Sequence, residues 1–124
     1  MEKQRLVARA FDEGYADVIM TTYEGLRVHK TSLLARDWDS VILDEGHRIR
    51  NPDADITQTA KSLRTVNRIV ATGAPIQNNL KELWSLFDFC FPGLLGTLPT
   101  FQEEFEDPIK VCGGRKSSFF LKLM

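Results

Sequence analysis

The stretch "VILDEGHRIRN", residues 41–51, carries the architecture of this chain. Three apolar residues, Val41, Ile42 and Leu43, run directly into Asp44, Glu45, Gly46 and His47. A short continuous apolar run predicts a strand buried on both faces. The charge that follows then lies where the strand leaves the core. Strand limits of 40–45 follow from this reading.

Working outward, "ADVIMTT" (16–22) reads as an earlier buried strand and "NRIVATG" (67–73) as a later one. Between them, "YEGLRVHKTSLLARD" (23–37) is helical, as one helix or a pair of short ones. Asn51-Pro52-Asp53 reads as a helix start, with Asn51 able to cap and Pro52 suited to the first helical position. Ile56, Ala60 and Leu63 continue that helix at spacings of four and three. Leu80, Leu83, Trp84 and Phe87 keep the i, i+3, i+4, i+7 pattern of a helix with one apolar face. Trp84, Phe87 and Phe89 are expected in the core. Residues 1–13 predict an amphipathic helix, Gly14 and Tyr15 a turn, and residues 100–106 one or two helical turns.

Strands alternating with helices predict an α/β fold with a parallel sheet flanked by helices. Three strands make a thin sheet with unpaired edges, so the chain is expected to be part of a larger domain. The apolar fraction of 43% supports a core, and no apolar run approaches the roughly 18 residues of a membrane span. Net charge is −1, so nucleic-acid binding would need a local basic patch. Cys90 and Cys112 stand in no metal-binding pattern and are expected as reduced thiols of an intracellular protein. His29 and His47 are the sole histidines, which argues against a three-ligand zinc site.

In open parallel sheets, ligands bind beyond the carboxyl ends of the strands. Asp44 and Glu45 fall there, as do Thr21 and Thr22 on the first strand and Thr72 and Gly73 on the third. An apolar strand ending in Asp-Glu is the Walker B pattern. One carboxylate, Asp44, would hold Mg²⁺ against phosphate oxygens, and the other, Glu45, would orient or deprotonate the attacking water. Adjacent residues on an extended chain point to opposite sides, which would separate the two tasks. Taken alone, Asp-Glu after an apolar run is also what a solvated turn looks like.

The wider pattern resembles the Swi/Snf-type ATPases of helicase superfamily 2. "TTYE" (21–24) is similar to their motif Ib, "DEGHRIRN" (44–51) to motif II, and "TGAPIQNNLKELWSLFDF" (72–89) to motif III with its following helix. "LDEGHRIRNP" (43–52) together with "ELWSLFDFCFPGLLGTLPTFQEEF" (82–105) is similar to the Cockayne syndrome B-like group of transcription-coupled repair. The resemblance covers roughly residues 14–109. It implies the C-terminal part of the first of two RecA-like lobes, residues 1–112, followed by a divergent tail, 113–124, expected to lack order.

The resemblance further implies ATP and Mg²⁺ as cofactors and double-stranded DNA, chromatin and RNA polymerase II as partners. A nuclear parent motor would then translocate on DNA, with no membrane partner. His47 would link the nucleotide site to motif III, whose end is Thr72 and Gly73. Gly73 is expected to allow a backbone conformation or close approach that other residues resist. Thr21, Thr22 and Tyr23 would face DNA, with Arg27 and Arg48, and also His29, Lys30 and Arg50, adding to that surface. Ala74 departs from the family, where a hydroxyl residue is usual. No G-x-x-x-x-G-K-[ST] occurs, so these residues alone lack a phosphate cradle and are expected neither to bind ATP tightly nor to hydrolyse it. An RNA helicase of the same superfamily, and a non-catalytic binding module, are the alternative readings.

Overall fold

The structure, a computed structural model, describes residues 17–73 and 79–106. The helix over 1–13, the turn at Gly14 and Tyr15, the motif III residues Ala74, Gln77 and Asn78, Cys112 and the tail 113–124 lie outside the described residues.

The described chain runs through α1 (Tyr23–Val28), α2 (Lys30–Leu34), β1 (Asp37–Leu43), a 3₁₀ turn (Gly46–Ile49) and α3 (Asp55–Lys61). It continues through β2 (Arg64–Val70), α4 (Leu80–Cys90), α5 (Leu98–Phe101) and a π turn (Gln102–Glu106). β1 and β2 are parallel, in register from Asp37 opposite Arg64 to Leu43 opposite Val70. The α/β class and the parallel pairing agree with the sequence reading, as do the pair of short helices before β1 and the helix at 80–90.

The strands differ in detail. Two strands, not three, form the sheet among the described residues. Residues 18–22 take no ladder with β1, and an apolar groove of about 480 Å³ runs along them and the neighbouring edge of β1. Ile19 packs on the core, while Val18 and Met20 are 78% and 94% exposed. β1 and β2 each begin and end about three residues earlier than the apolar runs suggested. Nor are they buried on both faces: their residues alternate between half-buried and exposed along most of each strand.

The helix after motif II also starts later. Asn51 does not cap it. Its carboxamide oxygen accepts from the Asp53 amide at 3.1 Å, closing a local turn, and α3 begins at Asp55. α4 is capped at its start: the Asn79 side chain accepts from the Lys81 amide at 3.0 Å, and Glu82 sits in the first turn.

Leu26, Leu33, Leu43, Ile49, Ala60, Leu63 and Phe89 form the core cluster. Burying each large side chain is worth about 1.5–3 kcal/mol. Phe89 is fully buried as expected, whereas Trp84 and Phe87 are only half-buried. The face of α4 that meets the core is Leu86, Phe89 and Cys90. Ser85, also fully buried, donates to the Ile49 carbonyl at 2.8 Å, pinning the 3₁₀ turn to α4. A half-buried ion pair, Lys61 to Asp88 at 2.7 Å, joins α3 to α4, with Lys61 4.6 Å from the centre of the Trp84 ring.

Candidate active site

The parallel register brings the ends of β1 and β2 out side by side. The ladder continues one step past β2, with the Ala71 amide donating to the Leu43 carbonyl at 2.8 Å. The chain then crosses back: the Gly46 amide donates to the Ala71 carbonyl at 2.9 Å. From the other side the Tyr23 hydroxyl donates to the Asp44 carbonyl at 2.6 Å. The ends of β1 and β2 and the start of α1 thus meet around Asp44, although residues 18–22 before α1 are not a strand of the sheet.

Asp44 and Glu45 are both exposed. The expectation that a strand pleat sends them to opposite sides does not hold, because β1 has ended at Leu43. Glu45 instead adopts a left-handed backbone, with φ 52° and ψ 52°. It is the only non-glycine residue with positive φ among those described. Such a conformation is unfavourable for a residue with a Cβ and persists where surrounding bonds over-determine it. Here the Asp44 Oδ1 accepts from the Glu45 amide at 2.8 Å, and the Glu45 carbonyl accepts from the Arg48 amide at 3.0 Å.

His47 is half-buried, and its Nδ1 lies 3.1 Å from Glu45 Oε2. That approach suits an ion pair when the imidazole is protonated, but its angle makes no hydrogen bond. The direct hydrogen-bonded link from the 3₁₀ turn to the end of β2 is the Gly46 amide. Gly46 is buried, and a Cβ there would collide with Val70 Cγ1 and sit 3.4 Å from Thr72 Cβ. Glycine is required at this position because the turn lies directly on β2.

Gly73 carries no such constraint. It is exposed, its φ is not positive, and a Cβ there would meet no described atom within 4 Å. The conformational argument made for Gly73 belongs to Gly46. The available signal was its place immediately after the carboxylate pair, where the chain has to turn. Thr72 is also exposed.

The expected nucleic-acid residues have identifiable local tasks. Thr22 caps α1, its hydroxyl accepting from the Gly25 amide at 3.0 Å. Thr21 is exposed beside it. Tyr23 is half-buried and its hydroxyl is committed to Asp44. Burial raises its phenol above the usual value, Asp44 and Glu45 add to the rise, and Arg48 opposes it. The Arg48 guanidinium lies 5.9 Å from the centre of the Tyr23 ring. Arg27 pairs with Glu24 at 2.7 Å, Lys30 with Asp55 at 3.5 Å and Arg50 with Glu82 at 3.7 Å. These pairs are largely exposed and screened by solvent, so they do not lock the basic side chains. Among the described residues no group of three or more His, Cys, Asp or Glu could hold a metal by itself.

The SNF2-related domain family matches residues 2–124. DNA repair and recombination protein RAD26 of Saccharomyces cerevisiae is 54% identical over 109 residues, covering 88% of this chain and 10% of that protein. Human DNA excision repair protein ERCC-6 is 52% identical over 101 residues, covering 82% of this chain and 7% of that protein. The chain thus spans about a tenth of the curated relatives it matches. The Sulfolobus solfataricus SWI2/SNF2 ATPase core in complex with dsDNA superposes with a TM-score of 0.73 at 38% identity, covering 86% of this chain and 22% of that one. Sequence and fold together establish that the chain belongs to the SNF2-related domain family, with the α/β architecture of a SWI2/SNF2 ATPase core.

Proposed function

We propose that these residues form the C-terminal part of the first RecA-like lobe of a DNA-dependent ATPase that acts in chromatin remodelling and transcription-coupled repair. The reading takes ATP and Mg²⁺ as cofactors, double-stranded DNA and chromatin as partners, RNA polymerase II as a further one, and the nucleus as the place of action. One observation carries it: Asp44 and Glu45 stand together at the carboxyl rim of a parallel sheet, and a left-handed turn at Glu45 holds them there.

The residues present fit one half of such a site. Asp44 is exposed and spends only Oδ1 on the Glu45 amide, which leaves carboxylate oxygen for a cation. Mg²⁺ is held through one or two carboxylates together with phosphate oxygens and water, so the lack of a complete protein cage is no obstacle. When bound, the ion supplies charge neutralisation to the phosphates. Glu45 is exposed and near His47, suited to orient a water or take its proton. The phosphate half does not fit ATP in these residues alone, since the chain has no glycine-rich lysine loop. That half is assigned to the remainder of the parent protein, of which the curated relatives have about ten times this length.

The test is phosphate release by the full-length protein with and without duplex DNA. Glu45→Gln is expected to lower DNA-stimulated kcat by about 10²–10⁴-fold, the range for loss of a general base. Unchanged turnover in that variant would reject the assignment, and stimulation by RNA in place of DNA would favour the RNA-helicase reading. The 124-residue chain by itself is expected to release no phosphate; release abolished by Glu45→Gln would contradict the division of the site. The missing phosphate loop favours one second reading, a non-catalytic module that binds DNA or protein through the lobe surface. Retention of nuclear partners by the chain, without any ATPase in the full-length protein, would support it.

A further inference from the structure

The two peptide groups that flank Glu45 are each held at both ends. In the peptide after it, the Glu45 carbonyl accepts from Arg48 and the Gly46 amide donates to Ala71. In the peptide before it, the amide of Glu45 donates to Asp44 Oδ1, and the Asp44 carbonyl accepts from Tyr23. A peptide group is planar, so fixing both its N–H and its C=O fixes its rotation about the chain. Those two rotations set φ and ψ at Glu45. Three of the four bonds come from the turn itself or from the adjacent strand end. The fourth comes from a side chain 21 residues earlier, at the start of α1.

We propose that Tyr23 is a positioning residue whose hydroxyl, donated to the Asp44 carbonyl, holds Glu45 in its left-handed conformation and so aims both carboxylates. This assigns Tyr23 to the carboxylate pair and not to the nucleic-acid surface. The inference rests on the ATPase reading for its effect on turnover, but the backbone constraint stands on geometry alone. Tyr23 is well placed for the task. Its ring is anchored against the core cluster, so the hydroxyl reaches Asp44 from a fixed base. Arg48, on the turn being held, lies over the same ring and adds a second attachment. Without the hydroxyl, the Asp44 carbonyl turns toward water and the preceding peptide is free to rotate. Glu45 then relaxes toward an ordinary conformation, carrying its carboxylate away from Asp44.

Tyr23→Phe removes that hydroxyl and keeps the ring. In the full-length protein, kcat at saturating ATP and duplex DNA should fall about three- to tenfold, the factor expected for one lost hydrogen bond. KM for ATP and the Kd for duplex DNA at fixed salt should stay within twofold. In the 124-residue chain, amide exchange at Glu45 and Gly46 should accelerate while that of Leu43 and Val70 does not. A weaker DNA Kd with kcat intact would make Tyr23 a DNA contact and overturn the proposal. A lower Tm with kcat and exchange at Glu45 unchanged would make it merely structural, with the same consequence. Failure of the unmodified protein to hydrolyse ATP sinks the ATPase reading, and the exchange measurement then decides the positioning role by itself.

Discussion

The two faces of the same pair of strands make opposite use of similar residues. On one face, Leu43 is buried in the core cluster with Ile49, Ala60 and Phe89, and Val41 and Val70 pack against that cluster. On the other, Ile42 and Ile69 stand opposite each other in the ladder, 67% and 53% exposed. Apolar residues thus occur on both faces, and only one face is closed. The closed face is the one that sets the carboxylates. Its 3₁₀ turn begins at Gly46, immediately after Glu45, and is anchored by Ile49 in the core and by Ser85 from α4.

Substitutions separate the faces. The largest effect is expected on the closed face. Phe89→Ala in the 124-residue chain should cost about 3–5 kcal/mol, enough to unfold most of a marginally stable domain in urea titration. An intermediate effect is expected where turn meets strand. Gly46→Ala should cost about 1–3 kcal/mol by overpacking against Val70. Adding Val70→Ala removes the colliding methyl, so the pair should be less unstable than the sum of the singles. Additive losses would mean that the turn does not rest on Val70. The smallest effect is expected on the open face, where Ile42→Thr should move the chain's stability by no more than about 0.5 kcal/mol. A loss approaching that of Phe89→Ala would show Ile42 covered in solution, and the contrast between the faces would fall.

The legible part of this molecule was the part governed by local pattern. The helix at 80–90 was readable because apolar residues recur there at the helical period, but its Asn79 cap was not read, and the face that meets the core runs through Leu86, Phe89 and Cys90, not through Trp84 and Phe87. The parallel α/β class followed from alternation alone. The segment 18–22 shows the limit. Its apolar composition permits a strand, but strand status requires a partner at ladder distance, and that spacing is a tertiary matter. Asn51 shows a second limit: one carboxamide can cap a helix or close a turn two residues on, and both leave the same sequence.

For the candidate site, the identity of the acidic pair and its place at the end of a strand were written in residues 41–47, since apolar residues enter a core and carboxylates stay where water or a cation can reach them. The conformation of the pair was not written there. Left-handed geometry at Glu45 depends on bonds from Tyr23, Arg48 and Ala71, and the need for glycine at position 46 depends on Val70, 24 residues away. Sequence alone determined which groups reach the rim. Only the packing of distant segments decided how they are held, because a backbone dihedral at the end of a strand answers to whichever neighbours satisfy its peptide groups.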